Sequence, residues 1–263
     1  MGKKSLMALA AIIFSLGCIL SCGLESVPYL GYVPDESVDI TDIRRVTVNL
    51  PSTSAPGYDS TTGFFTNFII FYRIYISKTD HTAKVVTAQD RSNINPVLNS
   101  DYAGILPMTD KSSTTINTTN LETYFFGRNY YQLTLVGASI DNVLSRGSLS
   151  GTLDISFEQT QGNRPTLSLN GGTYILQRAN SGPAMNFSPL PDNRYFFNDP
   201  ELYDSANITR ERNADVVNLS GNDPSSFTYT YVSMYIAAVG QDYLTTVYSQ
   251  PTYLGILKLP FPL

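Results

Sequence analysis

Along residues 148–158 the side chains change character at every step. Leu149, Gly151, Leu153, Ile155 and Phe157 fall on one side; Ser148, Ser150, Thr152, Asp154, Ser156 and Glu158 fall on the other. A period of two is the repeat of an extended strand, so the stretch predicts a strand with one face on a core and one in water. Phe68 to Ser77 is apolar on both faces, with Ile70, Tyr72, Ile74 and Ile76 opposite Ile69, Phe71, Arg73 and Tyr75, which predicts a central strand covered on both sides. Val46, Val48 and Leu50 alternate, and further strands are predicted over Tyr130 to Val136, Thr228 to Val239 and Tyr253 to Leu259. Between Thr166–Leu169 and Thr173–Gln177 stands Asn170-Gly171-Gly172, residues that reach positive φ at little cost, so the pair reads as a β-hairpin. With 18 Tyr, 13 Phe, 18 Gly and 15 Pro in 263 residues, the composition suits many strands joined by turns. An all-β fold, an antiparallel sandwich, is the expectation, with little helix after residue 21.

The first 21 residues have the three parts of an export signal: Lys3 and Lys4, an apolar run from Leu6 to Leu20, and small residues before a cysteine. An apolar run of about 15 residues is shorter than the roughly 20 a membrane-crossing helix needs. Ile19-Leu20-Ser21-Cys22 resembles the sequence that bacterial lipoproteins carry around their acylated cysteine, in the relaxed form found among spirochaetes. The resemblance implies cleavage before Cys22, acyl chains on that residue and attachment of the protein to a membrane of the cell envelope. Cys18 follows Gly17 but has the polar Ser15 where an aliphatic residue is wanted, so Cys22 is preferred. Gly23 is not the Asp that retains enterobacterial lipoproteins in the inner membrane, which favours the outer one. Gly23 to Thr41, with Pro28, Gly31 and Pro34 and no periodicity, reads as a tether, giving a leader 1–21, a tether 22–42 and a folded body 43–263.

One cysteine would remain after that cut, so burial and not disulfides must hold the body together. A chain of this length can supply a core large enough. Loss of Lys3 and Lys4, with no acid lost, moves the net charge from −5 to −7. An acidic body disfavours nucleic acid and electrostatic adhesion to anionic lipid, leaving acyl chains as the expected link to the membrane.

Phe71-Tyr72-Arg73-Ile74-Tyr75-Ile76-Ser77 resembles the third strand of fibronectin type III domains, and Tyr235-Ile236-Ala237-Ala238-Val239-Gly240 the sixth; Tyr248-Ser249-Gln250-Pro251 is similar to the opening of their last strand. The resemblance implies a two-sheet sandwich of a kind used for binding, spacing or adhesion, which does not by itself name a ligand. No Trp is present, and 160 positions separate Tyr75 from Tyr235, so a β-rich insertion over about 78–226 is expected.

Sites for chemistry are few. His81 is the sole histidine, and Gly147-Ser148-Leu149-Ser150-Gly151 has Leu149 where a nucleophile elbow needs serine. One histidine and one acylated cysteine cannot build a zinc site, and no phosphate-binding glycine loop is present, so no metal and no cofactor is expected. Asp192, Asn193, Asn198, Asp199, Glu201 and Asp204 offer oxygen ligands, though without the spacing of a calcium loop. Two of these carboxylates across a cleft would be the basis of the alternative reading, a lipid-anchored hydrolase or carbohydrate-active enzyme. Tyr195, Phe196, Phe197 and Tyr203, among Pro189, Pro191 and Pro200, form an aromatic loop and the candidate ligand-binding residues, for a protein or a carbohydrate. The same rings could instead plug the end of a core. The leading expectation is a non-catalytic binding or structural module of the envelope.

Overall fold

The structure is a computed structural model that describes residues 30–59, 64–80, 121–158, 164–179, 197, 215–219, 229–242 and 245–259. Two sheets face each other. The first is built from β1 (Val38–Asp42), β2 (Arg45–Asn49), β6 (Thr152–Ser156), β7 (Thr166–Leu169), β8 (Gly172–Gln177) and β5 (Thr134–Leu135), in the order β1-β2-β6-β7-β8-β5. The second runs β11 (Thr245–Tyr248), β10 (Tyr229–Asp242), β3 (Phe65–Ser77), β4 (Tyr131–Gln132); β12 (Thr252–Leu259) also pairs with β10, and β9 (Val216–Asn218) with β3. Every pairing is antiparallel except the short parallel one between β3 and β9.

The core lies where the alternating faces meet. Val46 and Val48 of β2, Leu153 and Ile155 of β6 and Leu167 of β7 face Phe68, Ile70, Tyr72 and Ile74 of β3 and Val232, Met234 and Ile236 of β10. β3 is central as its composition requires, and its other face is covered too. There Ile69 and Phe71, with Tyr235 and Ala237 of β10, lie under the short helix α1 (Leu121–Phe126). Leu121 and Phe125 stand one turn apart and so share the helix face turned to the sheet. Phe125 stacks on Phe71 with ring centroids 4.3 Å apart and planes 1° from parallel. The outer face of the first sheet is polar and carries the half-exposed pair Arg45–Asp154.

Three differences from the expected organisation have physical causes. Tyr130 to Val136 does not make one strand: β4 pairs with β3, β5 pairs with β8, and the chain crosses between the sheets at the buried Leu133. The alternating stretch after Gly147 begins with a 3-10 turn (Arg146–Ser148), because Ser150 at φ 63° breaks the extended path before β6. Residues 30–42 are no tether. Leu30 and Val33 are buried, Tyr58 donates its hydroxyl proton to the Gly31 carbonyl at 2.6 Å, the Thr252 hydroxyl donates to the Val33 carbonyl, and β1 pairs with β2.

Nor is the stretch 78–226 an insertion hung on a complete sandwich. It supplies β5 to β8, four of the six strands of the first sheet, and β6 bonds directly to β2. Seen along β3, the molecule has two ends. At the near end lie the start of β3, the end of β2 and the β7–β8 turn; at the far end lie the end of β3, the start of β10 and the end of β12; Val33 docks between them, on Thr252 at the level of Ile236 and Ile70. Helix α2 (Ile140–Val143) closes the near end, where the Phe68 amide donates to the Leu144 carbonyl at 2.8 Å.

Candidate functional site

Two places among the described residues concentrate polar groups. The first is a buried clasp at the middle of β3. Arg178, just past β8, and Asp215, just before β9, form a two-pronged ion pair: Nε to Oδ2 at 2.8 Å and Nη2 to Oδ1 at 2.5 Å. The Tyr72 hydroxyl donates to Asp215 Oδ2 at 2.8 Å and accepts from the Ala179 amide at 2.8 Å. Asp215 is wholly buried and Arg178 nearly so. Burial pushes the Tyr72 phenol well above its ordinary range, and the Asp215 carboxylate adds to the effect while the Arg178 guanidinium opposes it. A proton on Tyr72 is therefore held and not given up, and the clasp has the character of a pin more than of an acid–base site.

Phe197 belongs to this clasp. It is fully buried, with its ring edge-to-face on Tyr72 (5.0 Å, 69°) and on Phe157 (5.5 Å, 86°). Arg178, Phe197 and Asp215, far apart in sequence, thus meet around one tyrosine. Tyr195, Phe196 and Tyr203 lie outside the described residues, as do Cys22, His81 and the oxygen ligands Asp192, Asn193, Asn198, Asp199, Glu201 and Asp204. Sequence reading did not single out Arg178 or Asp215. A lone arginine after one strand and a lone aspartate before another carry no spacing signal, and only the fold brings them together.

The second place is a shallow groove of about 390 Å³ at the near end, lined by Asn142, Ser145, Leu169, Asn170, Gly172 and Tyr174 among others. The Asn170 side-chain amide donates to the Gly147 carbonyl at 3.2 Å, which fixes its orientation. No carboxylate and no histidine lines this groove. Of the serines in the Gly147 to Gly151 stretch, Ser148 is tied through its hydroxyl and Ser150 through its backbone. Ser148 donates its hydroxyl to the Ser145 carbonyl at 2.6 Å, and the Ser150 amide donates to the Pro51 carbonyl at 2.8 Å.

Outside these two places the rings serve packing. Tyr75, Tyr130 and Ser233 form a buried hydroxyl chain on the outer face of the second sheet, with steps of 3.1 and 3.2 Å, and the Arg73 guanidinium lies 5.4 Å from the Tyr75 ring centre. At the far end Asp80 accepts from Tyr231 at 3.0 Å and pairs with Lys258 at 3.1 Å. Among the described residues no group of His, Cys, Asp and Glu could hold a metal ion, no helix is long and apolar enough to cross a membrane, and Val136 is the single exposed large hydrophobic residue. Compared with known protein families, with curated proteins and with solved structures, the chain matches none.

Proposed function

We propose that this chain is an envelope lipoprotein, held to a membrane by acyl chains on Cys22, whose β-sandwich is a non-catalytic binding or structural module. The observation that carries the reading is the leader ending in Ile19-Leu20-Ser21-Cys22. A second supports it: the folded body starts by Leu30, eight residues on, as expected of an anchor placed just outside a globular domain. The outer membrane is the favoured location.

A binding role is supported by the meeting of Arg178, Phe197 and Asp215 around Tyr72, which fixes three points in a part of the sequence rich in aromatic residues. Fixed points near a contact residue lower the entropy lost on binding. Phe197 is the internal anchor, and contact with a protein or carbohydrate ligand is assigned to Tyr195, Phe196 and Tyr203. The sandwich is read as fibronectin type III-like. The strands that carry it, β3, β10 and β12, are antiparallel neighbours.

Intact mass of the protein from native membranes tests the anchor. Acyl mass on a chain starting at Cys22, and release of a Cys22→Ala form from the membrane fraction, are expected; a membrane-bound Cys22→Ala protein ends the proposal. The ligand role is tested with a panel of matrix proteins and envelope polysaccharides. Any binding found should fall in Tyr195→Ala and Tyr203→Ala while their stability stays at wild type, and unchanged binding removes the aromatic loop from the site.

A further inference from the structure

We infer that the groove at the near end of the sandwich is a second binding site, one for an uncharged saccharide, independent of acylation at Cys22 and of the role given to Tyr195, Phe196 and Tyr203. Its position follows from the fold. The β7–β8 turn forms one wall, and α2 with the 3-10 turn after it forms the other. Leu169 belongs to the core, and Val143 and Tyr174 pack against that core from the mouth of the groove. At about 390 Å³ the space falls within the range of roughly 300–1,000 Å³ that small-molecule sites occupy.

The lining offers the two kinds of surface that a sugar ring presents. Leu169, Val143 and Tyr174 supply an apolar side, which suits the C–H face of the ring. Asn142, Ser145, Asn170 and the Tyr174 hydroxyl supply a polar side. Among the described residues, the Asn142 side-chain amide and the hydroxyls of Ser145 and Tyr174 have no hydrogen-bond partner. Asn170 spends its amide nitrogen on the Gly147 carbonyl and keeps Oδ1 open to accept. A sugar hydroxyl both donates and accepts, and this set does both. Two of the groups are seated over glycines. A Cβ at Gly172 would stand 2.7 Å from the Tyr174 hydroxyl oxygen, and one at Gly151 2.7 Å from Asn170 Oδ1, so each group occupies space that a side chain would take. No Asp, Glu, Lys, Arg or His lines the groove, so an ionised ligand would give up water without meeting a counter-charge. An apolar ligand would leave the polar groups without partners. A neutral ring carrying many hydroxyls answers both conditions.

Saturation-transfer NMR on the full chain, purified in a detergent without a sugar headgroup, tests the site against maltotriose, cellotriose and chitotriose, with trigalacturonate as the charged counterpart. Binding of at least one neutral trisaccharide, tighter than that of trigalacturonate, is the expected result. Titration of that sugar should then give a Kd raised about fivefold to tenfold by Asn142→Ala, as for one lost hydrogen bond. Tyr174→Phe keeps the ring and removes the hydroxyl, and should raise Kd by a similar factor. Asn142 is exposed, so its variant should melt with the wild type. Thr173→Ala, on the opposite and exposed face of β8, should leave Kd unchanged. No binding by any of the neutral sugars, tighter binding of trigalacturonate, or a Kd that Asn142→Ala and Tyr174→Phe leave unchanged overturns the site. Binding lost in Tyr195→Ala and kept in Asn142→Ala places the sugar on the aromatic loop, which overturns the groove and leaves the proposed function standing.

Discussion

Asp215 has neither solvent nor slack: one of its carboxylate oxygens accepts from Tyr72 and Arg178 and the other from Arg178 again. A buried pair of this kind adds little over a well-packed apolar pair, but removing one partner strands the other charge. Arg178→Met or Asp215→Leu alone should lower unfolding free energy by about 3–5 kcal/mol. The double variant should recover part of the loss and retain a penalty of about 1–3 kcal/mol, because the Tyr72 hydroxyl keeps its proton without an acceptor. Urea titrations of the three proteins check this, and additive losses in the double variant would contradict it. Tyr72 also links stability to pH. Its folded-state pKa is raised, first by burial and then by Asp215. An unfolded tyrosine loses its proton near pH 10, about where an unperturbed phenol titrates. Below that point both states are protonated and the residue contributes no pH dependence. Above it the unfolded chain releases a proton that the folded protein retains, so stability falls as pH rises toward the folded value, by up to about 1.4 kcal/mol per pH unit. Tyr131 and Tyr248 shift the same way, each first through burial, and add to the slope. The urea midpoint should fall above about pH 10, and less steeply in Tyr72→Phe, which has no phenolic proton to release in either state. Equal slopes would remove Tyr72 from the linkage.

At the level of strands and turns, one position in β12 illustrates how the sheets are shaped. The β10–β12 register slips between Met234 and Tyr235, and Gly255, opposite Met234, lies at φ 98°, with the Ile40 side chain where its Cβ would stand, 2.5 Å away. A bulge bends β12, and the bare backbone lets β1 close over it. Gly255→Ala should cost about 1–3 kcal/mol, from the backbone conformation more than from the contact, since the end of Ile40 can swing aside. Adding Ile40→Ala should therefore not rescue Gly255→Ala, and rescue in thermal melts would show that the contact dominates. Much of the strand content was legible because it depends on local pattern. Val46 and Val48 alternate, Phe68 to Ser77 has no polar face, and the Asn170-Gly171 turn sits at φ 51° and 81°, as its residue types demand. What was not legible depends on partners distant in sequence. Leu133 reads as one residue in a continuous strand, yet there the chain changes sheets, because β3 and β8 compete for its two sides. Phe197 reads equally well as a loop ring or a core ring, and only the position of Tyr72 and Phe157 places it inside. The clasp partners Arg178 and Asp215, 37 residues apart, left no trace in any periodicity.

Across the whole molecule, the reading that β3 and β10 belong to a small sandwich with a large insertion gives way to one in which the middle of the chain builds the opposing sheet. The same holds at the amino-terminal side, where Pro28, Gly31 and Pro34 suggest a tether but the residues after Gly31 are tied down. Proline and glycine mark only the absence of regular structure. They do not mark the absence of packing, and Leu30 and Val33 are buried within an irregular segment. A body starting at residue 30 and one starting at residue 43 should consequently behave differently. The shorter form loses burial of Leu30 and Val33, at roughly 1.5–3 kcal/mol for each such side chain. It leaves the buried Tyr58 hydroxyl without the Gly31 carbonyl, a further cost of about 1–3 kcal/mol. It also strips β1 from β2, so that a strand carrying Val46 and Val48 becomes an uncovered edge that can pair with another copy. Residues 30–263 should be monodisperse, and residues 43–263 should unfold at several degrees lower temperature and self-associate, since each kcal/mol lost shifts the midpoint by about 2–4 °C at this size. Equal melting and equal solution size would mean that the first docked segment adds nothing to the fold.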